Sequence, residues 1–423
     1  MKNLQKSLLI LGAVLLLIGI LDQWEGLTGI AVILGFVMLA IGIRVSDFAK
    51  GFTYTVLILA SVSMAMFYPQ FFIRVGSFEL KGLIIPLLQI IMFGMGSQMS
   101  LKDFRGVIMA PKAVLIGVLC QFTIMPLVAL LLISFFRFPP EIAAGIVLVG
   151  TSPSGLASNV MSFLSKANVA LSVTLTAVAT VLAPLLTPFL MHLIAGELVP
   201  VDFWNMMLGI MNMVILPIIA GLIFNLFAFS ETGTKGRLVQ MVAFSLVILT
   251  KSLITLLTQD MAFAVLLTNT LIDIVWFVVI PVISGMVFLK LFGQNRDLME
   301  KILSLVSMIA IGLIITVITA AGRDNLLDIG LLLILACVIH NLMGYGLGYG
   351  ICKLLGVDEA SCRTIAFEVG MQNSGLASGI ALQMGKVATI GLAPSVFGPL
   401  MNITGSSLAT WWRGKPVASS TGK

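Results

Sequence analysis

Residues 368–378 of the chain read Glu-Val-Gly-Met-Gln-Asn-Ser-Gly-Leu-Ala-Ser, a polar run inside an otherwise apolar segment. The run carries a carboxylate, two carboxamides and two hydroxyls, and it is interrupted by Gly370 and Gly375. A carboxylate at the centre of a membrane helix costs about 2.5–3.5 kcal/mol on insertion scales. We therefore interpret Glu368 as a functional residue.

A second run of the same kind lies at residues 151–159, which read Thr-Ser-Pro-Ser-Gly-Leu-Ala-Ser-Asn. The pentapeptide Ser-Gly-Leu-Ala-Ser occurs in both runs, at 154–158 and at 374–378. Two polar, glycine-interrupted segments in corresponding halves of a membrane protein are typical of a transporter's binding site.

The composition excludes a soluble domain. The chain has 423 residues, of which 59% are hydrophobic and 10% charged, and its mean hydropathy is +1.13. Repeated apolar windows of about twenty residues indicate a polytopic helical membrane protein. We assign the net charge of +6 to cytoplasmic loops and not to nucleic-acid binding. The four cysteines lack metal-ligand spacing and are expected to be small buried hydrophobic residues: Cys120, Cys337, Cys352 and Cys362.

Hydropathy predicts fourteen membrane segments. They lie at about 7–21, 27–43, 52–69, 83–99, 113–135, 143–164, 169–193, 205–229, 238–257, 264–292, 301–321, 327–351, 364–385 and 391–412. With both termini in the cytoplasm, eighteen of the 24 Lys and Arg residues fall in cytoplasmic connections, Arg363 among them, and five fall in outside connections. This bias supports an even number of segments and that orientation. The compact loops favour the inner membrane of a bacterial cell.

The two polar runs divide the chain into related halves. Residues 1–50 are predicted to form an additional N-terminal transmembrane hairpin, residues 51–195 a unit of five helices, and residues 200–423 a second such unit. An inserted transmembrane hairpin interrupts the second unit at about 238–293. Each polar run then lies in the fourth helix of its unit. Because five is odd, the units must enter the membrane from opposite sides, as an inverted repeat.

Several short sequence motifs strengthen this interpretation. They are Ile-Ile-Met-Phe-Gly-Met-Gly at 90–96, Gln-Phe-Thr-Ile-Met-Pro at 121–126, Gly-Leu-Ala-Ser-Asn-Val-Met at 155–161 and Asn-Val-Ala-Leu-Ser-Val at 168–173. Together with the run at 368–375, which is the most specific, they resemble the bile acid:sodium symporter family. The resemblance covers roughly residues 52–229 and 300–412, and the two extra hairpins lie outside it.

The resemblance implies an all-α fold with ten helices in two inverted units. A core domain would hold the third to fifth and eighth to tenth helices, and a flatter panel domain the others. The fourth and ninth helices would be broken and would cross at the membrane midplane, where broken helices expose backbone groups to ions. Pro153, Gly155, Gly370 and Gly375 are the expected breakers. The extra hairpins could enlarge the panel, mediate assembly or do neither.

Sodium is a hard cation that prefers oxygen ligands. Ser172 and Thr176 are spaced i and i+4, so they lie on one helical face. The resemblance implies a first sodium site formed by Ser158, Asn159, Ser172, Thr176 and Glu368. It implies a second site formed by the side chains of Gln121, Glu368 and Gln372 and by backbone carbonyls near Val369 and Met371. A carboxylate between two cations can stay ionised.

Ser154, Asn373 and Asn402 are expected to face the crossing and to hydrogen-bond the substrate. Half-helix N-termini at this place would favour an anionic headgroup such as a carboxylate. The family often has Thr where this chain has Leu156. This departure leaves open whether the substrate resembles a bile acid or is a smaller carboxylate.

Three further polar residues lie in apolar segments. His340 has no Asp, Glu or Cys at ligand spacing and is interpreted as a hydrogen-bonded packing residue. Lys251 lies in the inserted hairpin, where its long side chain can reach an interface; a gating or anion-attracting role is the alternative. Asp273, in the next segment, is a possible partner for Lys251.

The sequence therefore predicts a sodium-coupled symporter of an organic anion that works by alternating access, with sodium as coupling ion and no other cofactor. A proton-coupled or uncoupled carrier, in which Glu368 titrates, is the alternative, and a non-transporting receptor on the same fold is another. An intramembrane enzyme is disfavoured, because no nucleophile–base pair or metal-ligand spacing is present. Substrate identity, sodium stoichiometry and oligomeric state are not predicted.

Overall fold

The computed structural model describes residues 2–21, 28–46, 52–100, 106–230 and 233–416, which are almost entirely helical. The first ten helices are α1 (Lys2–Leu21), α2 (Thr28–Gly42), α3 (Thr53–Phe67), α4 (Gln70–Ile73), α5 (Ile84–Gln98), α6 (Gly106–Met109), α7 (Pro111–Phe136), α8 (Pro140–Thr151), α9 (Ala157–Leu164) and α10 (Val169–Ala195). The next ten are α11 (Phe203–Ile210), α12 (Leu216–Ala228), α13 (Thr234–Thr258), α14 (Phe263–Ile274), α15 (Ile280–Phe292), α16 (Arg296–Ala321), α17 (Arg323–Leu354), α18 (Glu359–Gly370), α19 (Ser374–Gln383) and α20 (Leu392–Arg413).

The prediction of an all-α polytopic membrane protein is confirmed. In the described part of the chain, nine helices are long and apolar enough to cross a membrane. Each predicted apolar window lies on one helix or on consecutive helices with a short interruption. The sequence did not predict two short antiparallel strands, β1 (Arg74–Val75) and β2 (Phe78–Glu79). Gly76, with φ +61°, makes the turn between them because glycine adopts this conformation without a Cβ clash.

Two of the long helices contain a wider, π-type turn. Met211–Ile215 joins α11 to α12, and Val275–Val279 joins α14 to α15. Pro217 and Pro281 follow these turns. Because proline has no N–H to donate to the preceding turn, a regular helix cannot continue unchanged through these positions.

One group of helices forms a row. The helices α1, α2 and α3 pack in sequence, α3 packs on α16, α16 on α5, α5 on α12, and α12 on α15. The N-terminal hairpin therefore lies at one end of the row. The inserted hairpin of α13 to α15 lies at the other end, where the ammonium of Lys251 contacts the carboxylate of Asp273. The ion pair that the sequence suggested is confirmed.

The second group consists of α7 to α10 and α17 to α20, and it contains much of the largest buried apolar cluster. His340 on α17 is buried here, with Nε2 3.0 Å from the carbonyl oxygen of Met125 and its ring edge-on against Phe397. Its interpretation as a hydrogen-bonded packing residue is confirmed. The four cysteines are all buried, as expected.

Arg363 corrects the predicted boundary of one segment. The sequence placed it in a cytoplasmic connection, but it lies in α18, which begins at Glu359, and it is only 2% exposed. Its Nε donates to Glu359 Oε1 at 3.0 Å, and its guanidinium donates to the carbonyls of Ser165 and Trp412, both at 3.2 Å. A paired arginine can be buried, which a count of loop charges does not foresee.

Candidate functional site

The two polar runs meet where two helices are broken. The first break, residues 152–156, separates α8 from α9, and the second break, residues 371–373, separates α18 from α19. The breaks pair as a short antiparallel bridge, with Gly155 N donating to Met371 O at 3.0 Å and Asn373 N donating to Pro153 O at 2.8 Å. A Cβ on Gly155 would lie 3.2 Å from the carbonyl oxygen of Gln372, so glycine permits this close approach. The predicted crossing of two broken helices is therefore present.

The carboxylate of Glu368 lies beside this crossing and is 2% exposed. Its Oε1 accepts hydrogen bonds from the hydroxyls of Ser158 and Ser172, both at 2.6 Å, and from Thr176 at 3.1 Å. Its Oε2 accepts from Ser154 at 2.6 Å and from Thr176 at 2.9 Å. We call these four hydroxyl residues and Glu368 the hydroxyl cluster. Hydroxyls from the first break, α9 and α10 thus converge on one carboxylate of α18.

The hydroxyl cluster is suited to an ionised carboxylate. An ionised carboxylate only accepts hydrogen bonds, and here all its neighbours can donate. Thr176 Oγ1 also lies 3.3 Å from Asn159 Oδ1, so all five residues of the predicted first sodium site are connected. With their protons directed at Glu368, the hydroxyls keep lone pairs for a hard cation.

In the predicted second sodium site, Gln121, Gln372 and the carbonyl of Val369 are joined by hydrogen bonds, whereas the side-chain hydrogen bonds that the described residues make to Glu368 come from the hydroxyl cluster. Gln121 Nε2 donates to Gln372 Oε1 at 2.8 Å and to Ser152 O at 3.0 Å, and Gln372 Nε2 donates to Val369 O. Gln121 Oε1 is buried and has no hydrogen-bond partner among the described residues. A buried acceptor without a partner costs about 1–3 kcal/mol, so an oxygen-seeking cation fits this donor set. The Met371 carbonyl takes part in the bridge between the breaks.

The three predicted substrate residues occupy different environments. Ser154 donates to Glu368 and so belongs to the hydroxyl cluster. Asn373 is the N-cap of α19, and its Oδ1 accepts from Leu376 N at 3.0 Å. Asn402 is half-buried on α20, where its Nδ2 donates to Gly398 O at 2.9 Å within its own helix. Asn373 therefore lies at the start of α19, whereas the hydrogen bond of Asn402 stays within α20.

Sequence reasoning missed the residues that support the second break. Gly370 is the last residue of α18, and its carbonyl accepts a hydrogen bond at 2.8 Å from Asn341 on α17. The Oδ1 of Asn341 accepts from Thr404 on α20. An unpaired carbonyl at membrane depth is costly, and Asn341 removes that cost. Its position beside His340 in an apolar segment was the only available signal.

Comparison with known proteins agrees with this architecture. The sequence model of the Sodium Bile acid symporter family matches residues 85–257 and 237–329. The chain is 35% identical over 380 residues to the "Uncharacterized sodium-dependent transporter YocS" of Bacillus subtilis (strain 168), a match that covers 90% of this chain and 96% of that protein.

Plant proteins are similar as well. The chain is 30% identical over 326 residues to the "Probable sodium/metabolite cotransporter BASS1, chloroplastic" of Arabidopsis thaliana, covering 77% of this chain and 65% of that protein. It is 26% identical over 368 residues to the protein of the same description from Oryza sativa subsp. japonica, covering 86% and 73%. The chain therefore belongs to the sodium bile acid symporter family and is a membrane transporter rather than an enzyme.

Proposed function

We propose that the chain is a sodium-coupled symporter of an organic anion that works by alternating access. The observation that carries the proposal is the hydroxyl cluster, in which a carboxylate buried beside two crossing helix breaks accepts hydrogen bonds from four hydroxyls. Lipid-facing or purely structural positions have no need of such a site. The names of the relatives, a sodium-dependent transporter and a sodium/metabolite cotransporter, support the same ion.

Sodium would bind at two places that share Glu368. The first comprises Ser158, Asn159, Ser172, Thr176 and Glu368, and the second comprises Gln121, Glu368, Gln372 and the carbonyls of Val369 and Met371. The connected oxygens of the first and the unpartnered Gln121 Oε1 of the second support these assignments. Both sites contain residues from the two halves of the chain, so bound sodium would stabilise the crossing.

The substrate would bind beside the start of α19. Asn373 caps this half-helix, and its first N–H groups carry partial positive charge that favours an anionic group. Asn402 would add a carboxamide from α20. Leu156, at the start of α9, replaces a polar contact by an apolar one, so a substrate with an apolar body next to its carboxylate suits this site.

Alternating access would follow from the two groups of helices. The second group would be the core and the row the panel, within units at 51–195 and 200–423. Panel helices α5, α11 and α16 pack on α19, whereas the main neighbours of α9 are α10, α18 and α20. The pairing of α5 with α16 and of α7 with α17 supports an inverted repeat, because counterpart helices then meet at the symmetry axis. Both termini would be cytoplasmic, in a bacterial inner membrane.

Uptake into proteoliposomes tests this function. Protein would be reconstituted with sodium outside and potassium inside, and isotope-labelled carboxylates of increasing apolar size would be added. We expect sodium-dependent accumulation of at least one carboxylate and none with Glu368→Gln. Uptake driven equally by a proton gradient without sodium would identify a proton-coupled carrier instead. Sodium-dependent binding of a carboxylate without accumulation would identify a receptor.

A further inference from the structure

The inserted hairpin lines a polar cavity that lies apart from the hydroxyl cluster. The cavity has a volume of about 120 Å³, which is room for several water molecules. The charged pair Lys251 and Asp273 lies in its wall, with side chains 12% and 13% exposed. Six uncharged polar residues complete the polar lining: Asn212, Ser252, Thr255, Gln259, Asn269 and Thr270.

The ion pair of Lys251 and Asp273 is not explained by a contribution to the stability of the fold. A buried ion pair contributes little net stability, and apolar residues of similar size often replace it without loss. Charged side chains at membrane depth are costly and are typical of ion or substrate sites. Lys251 lies about two helical turns before the end of α13, which places the pair below the surface of the helical layer.

The hydroxyls of the cavity present oxygen lone pairs. Thr255 donates to Lys251 O at 2.9 Å, and Ser252 and Thr270 lie 3.0 Å and 2.8 Å from carbonyls of the preceding turn in their own helices. Because these protons are used by backbone carbonyls or by the contact between Ser252 and Thr270, the cavity receives mainly acceptors. Gln259 likewise donates its Nε2 to Asn205, which leaves its Oε1 as an acceptor.

Two polar groups of the cavity have spare capacity. The carboxylate of Asp273 contacts Lys251 through Oδ2, and its Oδ1 has no hydrogen-bond partner among the described residues. The side chain of Asn212 makes no hydrogen bond to any part of the chain that the structure describes, and Asn212 lies in the π-type turn between α11 and α12. Such turns are frequent at functional sites. The wall is thus built by both the inserted hairpin and the row of helices.

We infer that this cavity is a second cation site, in which a monovalent alkali cation replaces the Lys251 ammonium at Asp273. Carboxylate, carboxamide and hydroxyl oxygens are the ligands of a hard cation. The cavity offers a single carboxylate, which suits one positive charge and not a divalent metal. Lys251 supplies that charge when the cation is absent, and when the cation binds its long side chain would carry the displaced ammonium to the membrane interface. The site lies apart from the crossing and is independent of the hydroxyl cluster.

The test uses the purified full chain with Glu368→Gln, which removes the sodium response expected at the crossing. Thermal stability would be measured against NaCl, with choline chloride keeping the ionic strength constant. We expect Lys251→Met in this background to give a sodium-dependent rise in Tm, half-saturated at a roughly tenfold lower concentration than with Lys251 present, because a competing positive charge has been removed. Adding Asp273→Asn should abolish the rise. Lys290→Met, which removes an exposed lysine of the same hairpin, is the matched control and should leave the response unchanged.

Three results would overturn the inference. The first is an equal rise of Tm with sodium in the Lys251→Met variant with and without Asp273→Asn. The second is a Tm of the Lys251→Met variant that does not change with sodium. The third is a Tm of this variant that changes with pH and not with sodium. If Lys251→Met does not fold, two other proteins would be compared at high sodium: the Glu368→Gln protein, and the same protein with Lys251→Met and Asp273→Asn, whose cavity carries no charge. The Tm of Glu368→Gln should rise with sodium, and the Tm of the triple variant should not. An equal change of Tm in both proteins would refute the site.

Discussion

At the scale of single residues, Glu368 is the group to which the others are oriented. Its two oxygens accept hydrogen bonds from hydroxyls on three neighbouring segments, at distances down to 2.6 Å. Hydroxyl donors at these positions would stabilise the ionised form of the carboxylate. A mobile cation beside this carboxylate would be held by the same oxygens, so the hydroxyls affect both the charge and the ion.

The contribution of α10 can be tested with two substitutions. Ser172→Ala and Thr176→Val each remove a hydroxyl from the hydroxyl cluster, and a hydrogen bond to a charged group is worth about 1.5–3 kcal/mol. We expect each change to lower sodium affinity by about tenfold or more. Sodium titration of Tm would measure this. Thr180→Val is the control, because among the described residues its hydroxyl donates to the Thr176 carbonyl of the same helix, at 2.7 Å, and not to Glu368. Equal effects of all three changes would show that the loss is structural.

Arg363 is a second residue whose removal has a clear expected result. It shares Glu359 with Lys353 and satisfies buried carbonyls at the ends of α9 and α20. Leaving a buried acceptor unsatisfied costs about 1–3 kcal/mol for each group. Arg363→Leu should therefore lower Tm strongly, and Arg363→Lys should not restore it, because lysine cannot bond several acceptors in one plane. Full stability of the lysine variant would contradict this role.

At the scale of elements, the two broken helices depend on close packing with α17. A Cβ on Gly370 would lie 2.2 Å from Cδ1 of Tyr345, a distance that no packed atom tolerates. Gly370 therefore allows α18 to end against α17, where Asn341 satisfies its last carbonyl.

Gly370→Ala should destabilise the protein by about 1–3 kcal/mol, the usual cost of overpacking. The measurement is thermal unfolding in detergent. Gly346→Ala on α17 is the matched control, since a Cβ there meets nothing within 4 Å, and it should be neutral or slightly stabilising. If both alanine variants unfold at the same temperature, the contact with Tyr345 does not limit the packing.

The sequence predicted these elements to different depths. Proline and glycine at 151–159 and 368–378 marked the positions of both breaks, whereas the crossing of the two helices was implied by the resemblance to the bile acid:sodium symporter family. The support by Asn341 could not be predicted, because it depends on which helix lies opposite a single carbonyl. The sequence placed Ser154 at the crossing and predicted a contact with the substrate. Its hydrogen bond to Glu368 could not be predicted, because it also depends on which residue lies opposite. The π-type turn at Met211–Ile215 was not predicted, because Pro217 alone does not show how the helix before it adjusts.

At the scale of the whole molecule, the extra hairpins extend the row of helices at its two ends. The helices α1 and α2 pack on each other and on α3, whereas the hairpin of α13 to α15 packs on α11 and α12. Neither hairpin has its main contacts with the broken helices. Of the roles that the sequence left open, enlargement of the panel is the one that this packing supports.

Deletion of α1 and α2 should therefore leave the site intact. We expect the shortened protein to melt at a somewhat lower temperature, because α3 loses its neighbour, but to keep an undiminished rise of Tm with sodium. The same titration on the full chain is the reference. Loss of the sodium response in the shortened protein would show that the hairpin contributes to the site through the row.

The most direct test of sodium binding at the crossing is the Tm of the purified native protein in NaCl against matched KCl and choline chloride. A ligand that binds only the folded state adds about 2.7 kcal/mol of stability at a hundred times its Kd. We predict that sodium raises the Tm of the native protein and of Glu197→Gln, an exposed carboxylate control. Glu368→Gln should lose most of this rise and keep only the response at high sodium that the cavity of Lys251 and Asp273 would give. Equal Tm values of the native protein in all three salts, or an undiminished sodium effect in Glu368→Gln, would contradict sodium binding at Glu368.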